Sequence, residues 1–242
     1  MGEVPIAAAA FVGTHFLLSH PLRAPIVSRL GERGFLGVYS LVAAVTLGWL
    51  VFAYRAAPLA APLWPVGDTL WAVATAMMLL ASVLFMGSLV GNPALPDPGG
   101  QQRPPVEPRG VFAITRHPMM WSFALWGAAH ILVYPQPANI VLAGAIVVLA
   151  LVGAHLQDRK KARHQPDSWP QWMARTSFLP FAARRSIRGL GGHALGGGVV
   201  VWLAATWAHI PLAGWAAGVW RWIKSDGRGW RHETKQDKAT GI

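Results

Sequence analysis

The chain of 242 residues contains no cysteine, and few of its side chains are charged. The absence of Cys excludes disulfide bonds, thiolate nucleophiles and Cys-ligated zinc or iron–sulfur centres. Charged residues make up 13% of the chain, about half of what a soluble domain carries, whereas hydrophobic residues make up 53%. This composition argues against a typical soluble enzyme. It favours a polytopic membrane protein, a class in which Trp, Gly and Pro are frequent, as the 13 Trp, 26 Gly and 19 Pro are here.

Uncharged apolar runs near the ~20 residues that cross a bilayer as a helix recur along the first 182 residues. The predicted spans of this domain lie at residues 4–19, 35–54, 69–90, 119–134 and 139–156. A basic linker at 183–196 leads to a last apolar stretch at 197–223, and a polar tail follows at 224–242. Because Pro211 interrupts the last stretch, it is either one kinked helix or a helix followed by an interfacial turn. We therefore predict an all-α transmembrane bundle of about six spans.

The basic residues are distributed unevenly between the predicted loops. Fourteen Lys and Arg residues lie in the loops after the first, third and fifth spans, whereas the opposite loops contain only Arg55. The positive-inside rule then places the basic loops in the cytoplasm and the N-terminus outside. The six basic residues after Trp220 do not follow this pattern. Since the charge marks one membrane face and no base-reading motif is present, we expect the lipid bilayer, and no nucleic acid, as a partner.

Histidines inside the predicted spans are the strongest chemical signal. An ionisable side chain in hydrocarbon is costly unless it has a partner, so each such residue is a candidate for a functional site. The four are His15, His130, His155 and His209, and His117 lies at the start of the fourth span. One of them alone could serve as a helix–helix hydrogen bond. Four without an intramembrane carboxylate favour a His-ligated cofactor, and neutral imidazole binds haem iron.

Depth along the spans restricts which histidines can share one iron. His15 lies about four residues, or ~6 Å, from the end of its span, at the level of His117. These two could share a haem whose propionates bind Arg23 and Arg116, although anchoring at the membrane face is the simpler interpretation of both Arg residues. His155 lies at the same depth, near the cytoplasmic end of the fifth span, and could replace His117 as the second iron ligand.

A second pair is possible deeper in the bundle. His130 lies 13 positions after His117, hence ~20 Å deeper. His209 lies at a similar level in the last apolar stretch. The metal-ligand candidates are therefore His15, His117 and His130, with His209 as a possible partner of His130.

Three segments of the sequence resemble the NnrU family. They are FVGTHFLLSHPLRAPIVSRLGERGFLGVYSLVA (residues 11–43), RGVFAITRHPMMWSFALWGAAHILV (109–133) and SWPQWMARTSFLPF (168–181). The resemblance implies an integral protein of the bacterial inner membrane. It also implies an association with denitrification and with nitrite and nitric oxide metabolism, so that components of the denitrification reductases are expected partners.

The NnrU family is similar to plant 15-cis-zeta-carotene isomerase, a membrane enzyme whose haem b is bound through His. In that enzyme a His followed eight residues later by Arg lies near the first span, which matches His15 and Arg23. A later RHP segment followed by an AH pair matches His117 and His130. The resemblance implies haem b with His15 as one ligand and either His117 or His130 as the second. It does not imply that this chain is an isomerase.

Two other functions are kept as alternatives. Arg116, His117 and Pro118 with Trp169 and Trp172 resemble isoprenylcysteine carboxyl methyltransferases, which bind S-adenosylmethionine. Tyr would be expected where these Trp residues stand, and the only carboxylates nearby are those of residues 158 and 167. Moreover, the DRKKAR cluster at 158–163 is expected to be a solvated anchor, with binding of anionic lipid as a further possibility. The other alternative is a non-catalytic assembly factor for a reductase complex.

Overall fold

A computed structural model describes residues 2–95, 104–105, 107–183 and 189–223. Within these ranges every regular element is helical, which confirms the predicted fold class. The α-helices are α1 (Glu3–Ser19), α2 (Arg23–Ala56), α3 (Asp68–Ser88), α4 (Pro118–Val133), α5 (Pro137–His164), α6 (Trp169–Arg175) and α7 (Gly192–Ala213). Single 3-10 turns lie at Gly110–Ala113 and Gly218–Arg221. The predicted tail at 224–242 and part of the basic linker, residues 184–188, lie outside the described residues.

The four helices α2, α3, α5 and α7 are long and apolar enough to cross a membrane, and α1 and α4 are shorter apolar helices. Between 11% and 28% of each of the four candidate spans is buried inside the protein. Most of their apolar surface therefore remains available to lipid, as in a multi-pass membrane protein. Large side chains such as Phe52 and Val200, 75% and 65% exposed, lie on these outer faces.

Two predicted loop regions are helical. Residues 23–33 form the beginning of α2, which bends at Gly31, where φ is +69°. Glycine adopts this conformation without the steric cost that a Cβ would impose. Likewise α5 continues past residue 156 through the DRKKAR cluster to His164. Lys, Arg and Ala are good helix formers, so charge at this point ends the apolar run without ending the helix.

The last apolar stretch is a helix followed by a turn. The helix α7 continues through Pro211 to Ala213, and the φ of +77° at the following Gly214 is typical of a helix C-terminus. The chain then folds back along α7, where Trp220 Nε1 donates a hydrogen bond to the carbonyl oxygen of Leu203 at 3.2 Å. Of the two alternatives that Pro211 allowed, the structure has the helix with a terminal turn.

The helices pack side by side in the order α7, α3, α4, α5, α1, α2. Glycines allow the closest approaches in this arrangement. A Cβ on Gly198 of α7 would lie 2.8 Å from the Val83 Cα of α3, and one on Gly127 of α4 would lie 2.8 Å from the Ala143 carbonyl oxygen of α5. Small residues at helix interfaces let backbones approach in this way in membranes. The helix α4 is thereby held between α3 and α5.

Candidate functional site

Two cavities lie at opposite ends of the bundle. The first, here called the His130 cavity, has a volume of about 390 Å³, and the second, the His15 cavity, about 480 Å³. Both volumes are in the range of small-molecule and cofactor sites. The helix α4 contributes His130 to one and Met120 to the other, ten positions or ~15 Å apart along its axis. The His130 cavity is thus at the end of the bundle where α4 ends, and the His15 cavity where α4 begins.

The His130 cavity contains two imidazoles with the same hydrogen-bonding arrangement. Nδ1 of His130 lies 2.7 Å from the carbonyl oxygen of Trp126, and Nδ1 of His209 lies 2.8 Å from that of Ala205. A carbonyl oxygen only accepts, so Nδ1 carries the proton in each neutral ring and Nε2 keeps its lone pair. The two ring centroids are 6.2 Å apart. The cavity therefore holds two neighbouring imidazoles whose tautomers are fixed by the backbone.

Aromatic residues enclose this pair of rings. Trp126 lies over His130 with ring centroids 4.1 Å apart, and Trp215 lies 4.9 Å from His209. Two buried polar atoms, Oγ1 of Thr75 and Nε1 of Trp202, have no hydrogen-bond partner among the described residues, and both residues line the cavity. A buried donor without a partner is costly. These two groups therefore mark positions where a bound molecule would find hydrogen-bond donors.

The His15 cavity is built from the end of α1, the middle of α2, the beginning of α4 and the C-terminal half of α5. Nδ1 of His15 lies 2.6 Å from the carbonyl oxygen of Phe11, so its Nε2 also keeps a lone pair. The edge of the Tyr39 ring packs against His15 at 5.4 Å between centroids. His20 and Lys160 line the same cavity. It therefore contains two imidazoles and an amine at its polar end.

Close to the beginning of α4, a buried ion-pair network surrounds Asp158. Arg116 donates through Nε to its Oδ2 at 2.8 Å, and the Arg116 Nη2 lies 2.7 Å from the same oxygen. The other oxygen lies 2.8 Å from Nε2 of His117 and accepts a bond from Trp169 Nε1 at 3.2 Å. The side chains of Asp158, Arg116 and His117 are only 5%, 10% and 0% exposed. The network fastens α4, α5 and α6 to one another.

The predicted role of Asp158 was therefore wrong. It was placed in a solvated basic anchor, but α5 continues past the apolar run and turns this carboxylate inward, toward Arg116. Four donor atoms occupy its two oxygens. It is thus not available to bind the ribose or amine of S-adenosylmethionine, and nothing in the geometry favours the methyltransferase alternative.

The NnrU protein family model matches residues 5–217. The chain belongs to the NnrU family. The match continues past the predicted domain boundary at residue 182 and takes in α7 with its His209. No curated protein and no solved structure matches this NnrU chain.

The structure separates the predicted ligands of this NnrU protein. His15 and His130 line different cavities. His117 is among the lining residues of neither, and its Nε2 is bonded to Asp158. His155 is on the exposed side of α5. Among the described residues, the fold brings His130 of α4 and His209 of α7 together, with ring centroids 6.2 Å apart.

The two Arg residues predicted near haem propionates have protein partners. Arg23 Nη2 donates to both carboxylate oxygens of Glu32, at 2.8 and 2.7 Å. Arg116 is bonded to Asp158. Neither Arg is among the lining residues of the two cavities. The sequence did not identify Lys160 as a cavity residue, because it is one of several neighbouring positive charges in the basic cluster. Only the packing of α5 against α1 distinguishes it from the others.

Proposed function

We propose that this NnrU protein binds haem b in the His130 cavity through His130 and His209, and that it serves nitrite and nitric oxide metabolism in denitrification from the bacterial inner membrane. The observation that carries the proposal is the pair of neighbouring imidazoles in one apolar cavity, each with Nδ1 held by a backbone carbonyl. A hydrogen bond on the second ring nitrogen is the usual way in which a protein orients a histidine that ligates a metal.

The residues present fit an iron that is already held by a macrocycle. Among the described residues there is no group of three or more His, Cys, Asp or Glu that could hold an ion without one. Haem needs only one or two protein ligands. Since a ligating nitrogen lies about 2 Å from its metal, two imidazoles that would share one iron must be close neighbours. The separation of 6.2 Å fits this requirement.

The rest of the cavity supports the same ligand. Trp71, Trp126 and Trp215 provide flat apolar walls, and Met78 and Ala74 line the side formed by α3. The unpartnered donors of Thr75 and Trp202 would satisfy polar substituents at the edge of the macrocycle. An iron porphyrin supplies one-electron redox chemistry and affinity for nitric oxide. The chain's own contribution is to orient the two imidazoles and exclude water around them.

An absorption spectrum of detergent-purified protein, oxidised and then reduced, tests the proposal. We expect a Soret band and a six-coordinate low-spin spectrum, with about one iron per chain. His130→Ala and His209→Ala should each lose the low-spin spectrum, because each removes one ligand. The matched controls are His155→Ala and His193→Ala, which change exposed histidines and should keep it.

The same spectra decide the earlier choice of ligands. A low-spin spectrum lost in His15→Ala and kept in His130→Ala would place the haem in the His15 cavity and refute the proposed pair. Protein that stays colourless after expression with ample porphyrin supply would refute haem binding altogether.

The link to denitrification is tested in cells that lack the protein. Their membranes should show reduced nitric oxide reductase activity, restored by the wild-type chain and not by His209→Ala.

A further inference from the structure

The His15 cavity has the polarity of a binding site for an amphiphile. Its apolar lining comes from four helices and includes Phe11, Leu47, Phe123 and Ile146. Its polar lining lies where α1 ends and in the last part of α5, at positions 15, 19, 20, 157 and 160, together with Tyr39 of α2, whose ring contacts His15. An apolar chain and a polar headgroup would thus face different parts of the same 480 Å³ space.

Lys160 gives the polar end a cation that makes no direct ion pair with a described carboxylate. It is half-buried and makes no hydrogen bond or ion pair with any residue in the described part of the chain. Glu32 is close enough to interact with it electrostatically but already binds Arg23 through both oxygens. A partly desolvated ammonium next to apolar walls favours an anion in the space beside it.

His20 adds a second unsatisfied group. Ser19 donates its hydroxyl proton to the His15 carbonyl oxygen at 2.6 Å, so the oxygen of Ser19 accepts from Nδ1 of His20 at 2.8 Å. The other ring nitrogen of His20, Nε2, is buried and has no partner in the described residues. An acidic headgroup can form a hydrogen bond with this nitrogen in two ways. The protonated acid donates to Nε2 of the neutral ring, or the anion accepts from the N–H of the charged ring.

We propose that the His15 cavity binds one amphiphile with an acidic headgroup, a long-chain carboxylate or an anionic phospholipid, with Lys160 and His20 on the headgroup and the apolar lining around the chain. The inference is independent of haem binding in the His130 cavity, which lies at the other end of α4. A neutral amphiphile of the same length would fill the apolar part and leave Lys160 without an anion.

Native mass spectrometry of the delipidated full-length protein in neutral detergent tests this inference. The probes are palmitate, hexadecanol, phosphatidylglycerol and phosphatidylcholine. We expect one acidic amphiphile per chain, bound about tenfold more tightly than its neutral counterpart, the effect of one charge-assisted hydrogen bond. Preference for palmitate identifies a free carboxylate as the ligand, and preference for phosphatidylglycerol identifies a membrane lipid.

Two pairs of variants separate this site from general attraction of anions to a basic surface. Lys160→Gln should abolish the preference for the acidic probe, whereas Arg159→Gln, which removes an exposed neighbouring charge, should keep it. Gly153→Leu should block the chain, because Gly153 lines the cavity and a Cβ there meets nothing within 4 Å. The control Gly144→Leu lies on the same helix, also with open space at Cβ, but outside the cavity lining.

Equal affinity for acidic and neutral probes, or equal effects of Lys160→Gln and Arg159→Gln, would overturn the inference. A Soret band lost in Gly153→Leu but retained in Gly144→Leu would also overturn it, since the cavity would then contain the porphyrin. Because the readout is the mass of the bound amphiphile, failure here is distinguishable from failure of the haem proposal, which is read from absorbance.

Discussion

Replacing Asp158 by Asn removes the central charge of the buried network while it leaves the side-chain volume almost unchanged. In the native chain the carboxylate accepts from Arg116 and Trp169 and binds the ring of His117. An amide at this position retains one acceptor oxygen and directs an NH₂ group at groups that themselves donate. The Arg116 guanidinium, 10% exposed, is left without a counter-charge.

The expected loss of stability is about 3–5 kcal/mol, the usual effect of removing one partner from a buried ion pair. This estimate rests on the nearly complete burial of the groups involved, 5% exposure for Asp158 and 0% for His117. Lost hydrogen bonds and the uncompensated charge of Arg116 contribute to the same loss and are not additive. Because native domains are stable by only 5–15 kcal/mol, roughly, the variant would be close to unfolding.

Reversible unfolding in mixed micelles, titrated with sodium dodecyl sulfate, measures this loss. Trp169 and Trp172, 0% and 1% exposed, report on the region through their fluorescence. The matched control is Asp68→Asn, because the Asp68 side chain is 75% exposed in its pair with Arg221 and should contribute under about 1 kcal/mol. If Asp158→Asn proved as stable as Asp68→Asn, the network would not be what fastens α4 to α5 and α6.

Two further predictions concern helix packing and orientation. Gly127→Ala should destabilise the protein by about 1–3 kcal/mol, since its Cβ would lie 2.6 Å from Val147 Cγ2 and 2.8 Å from the Ala143 carbonyl oxygen. Gly144→Ala, with open space at Cβ, should be neutral or slightly stabilising in the same unfolding assay, and equal effects of the two would contradict the packing argument. The cysteine-free chain also allows single-Cys labelling with a membrane-impermeant maleimide. We expect exposed Arg159→Cys to react only from the cytoplasmic side. Leu59→Cys, at a position 85% exposed, should react only from the periplasmic side. The opposite labelling pattern would contradict the predicted orientation in the membrane.

The helices could be predicted from the sequence because a membrane span needs a long apolar run, and such runs are read directly. Their ends could not be located equally well. Charge set the predicted end of one span at residue 156 and the predicted start of another at residue 35, yet the helices α5 and α2 both extend through these charged segments. Helix propensity is favourable for Lys and Arg, so the end of an apolar run marks the end of the hydrocarbon and not the end of the helix.

The candidate site was less predictable, because it depends on which helices are neighbours. Depth alone left His15, His117 and His130 open as ligands. The partner of His117 turned out to be Asp158, 41 positions away in the sequence, and only the packing of α5 on α4 brings them together. No local signal distinguished this carboxylate from the solvated charges that follow it. Lys160, which lines the His15 cavity, belongs to the same basic cluster and could not be distinguished from its neighbours either.

One part of the chemistry is nevertheless local and recurs in three helices. His15, His130 and His209 each place Nδ1 on the carbonyl oxygen four residues earlier, at 2.6–2.8 Å. In a helix this carbonyl oxygen is within reach of the ring, so the backbone itself fixes the tautomer and Nε2 keeps its lone pair. An apolar helix thus prepares any suitably oriented histidine as a ligand. Whether two such rings become neighbours depends on how the helices pack. Here α4 and α7 both lie against α3, and this packing places His130 beside His209. His15 instead shares its cavity with the cation Lys160.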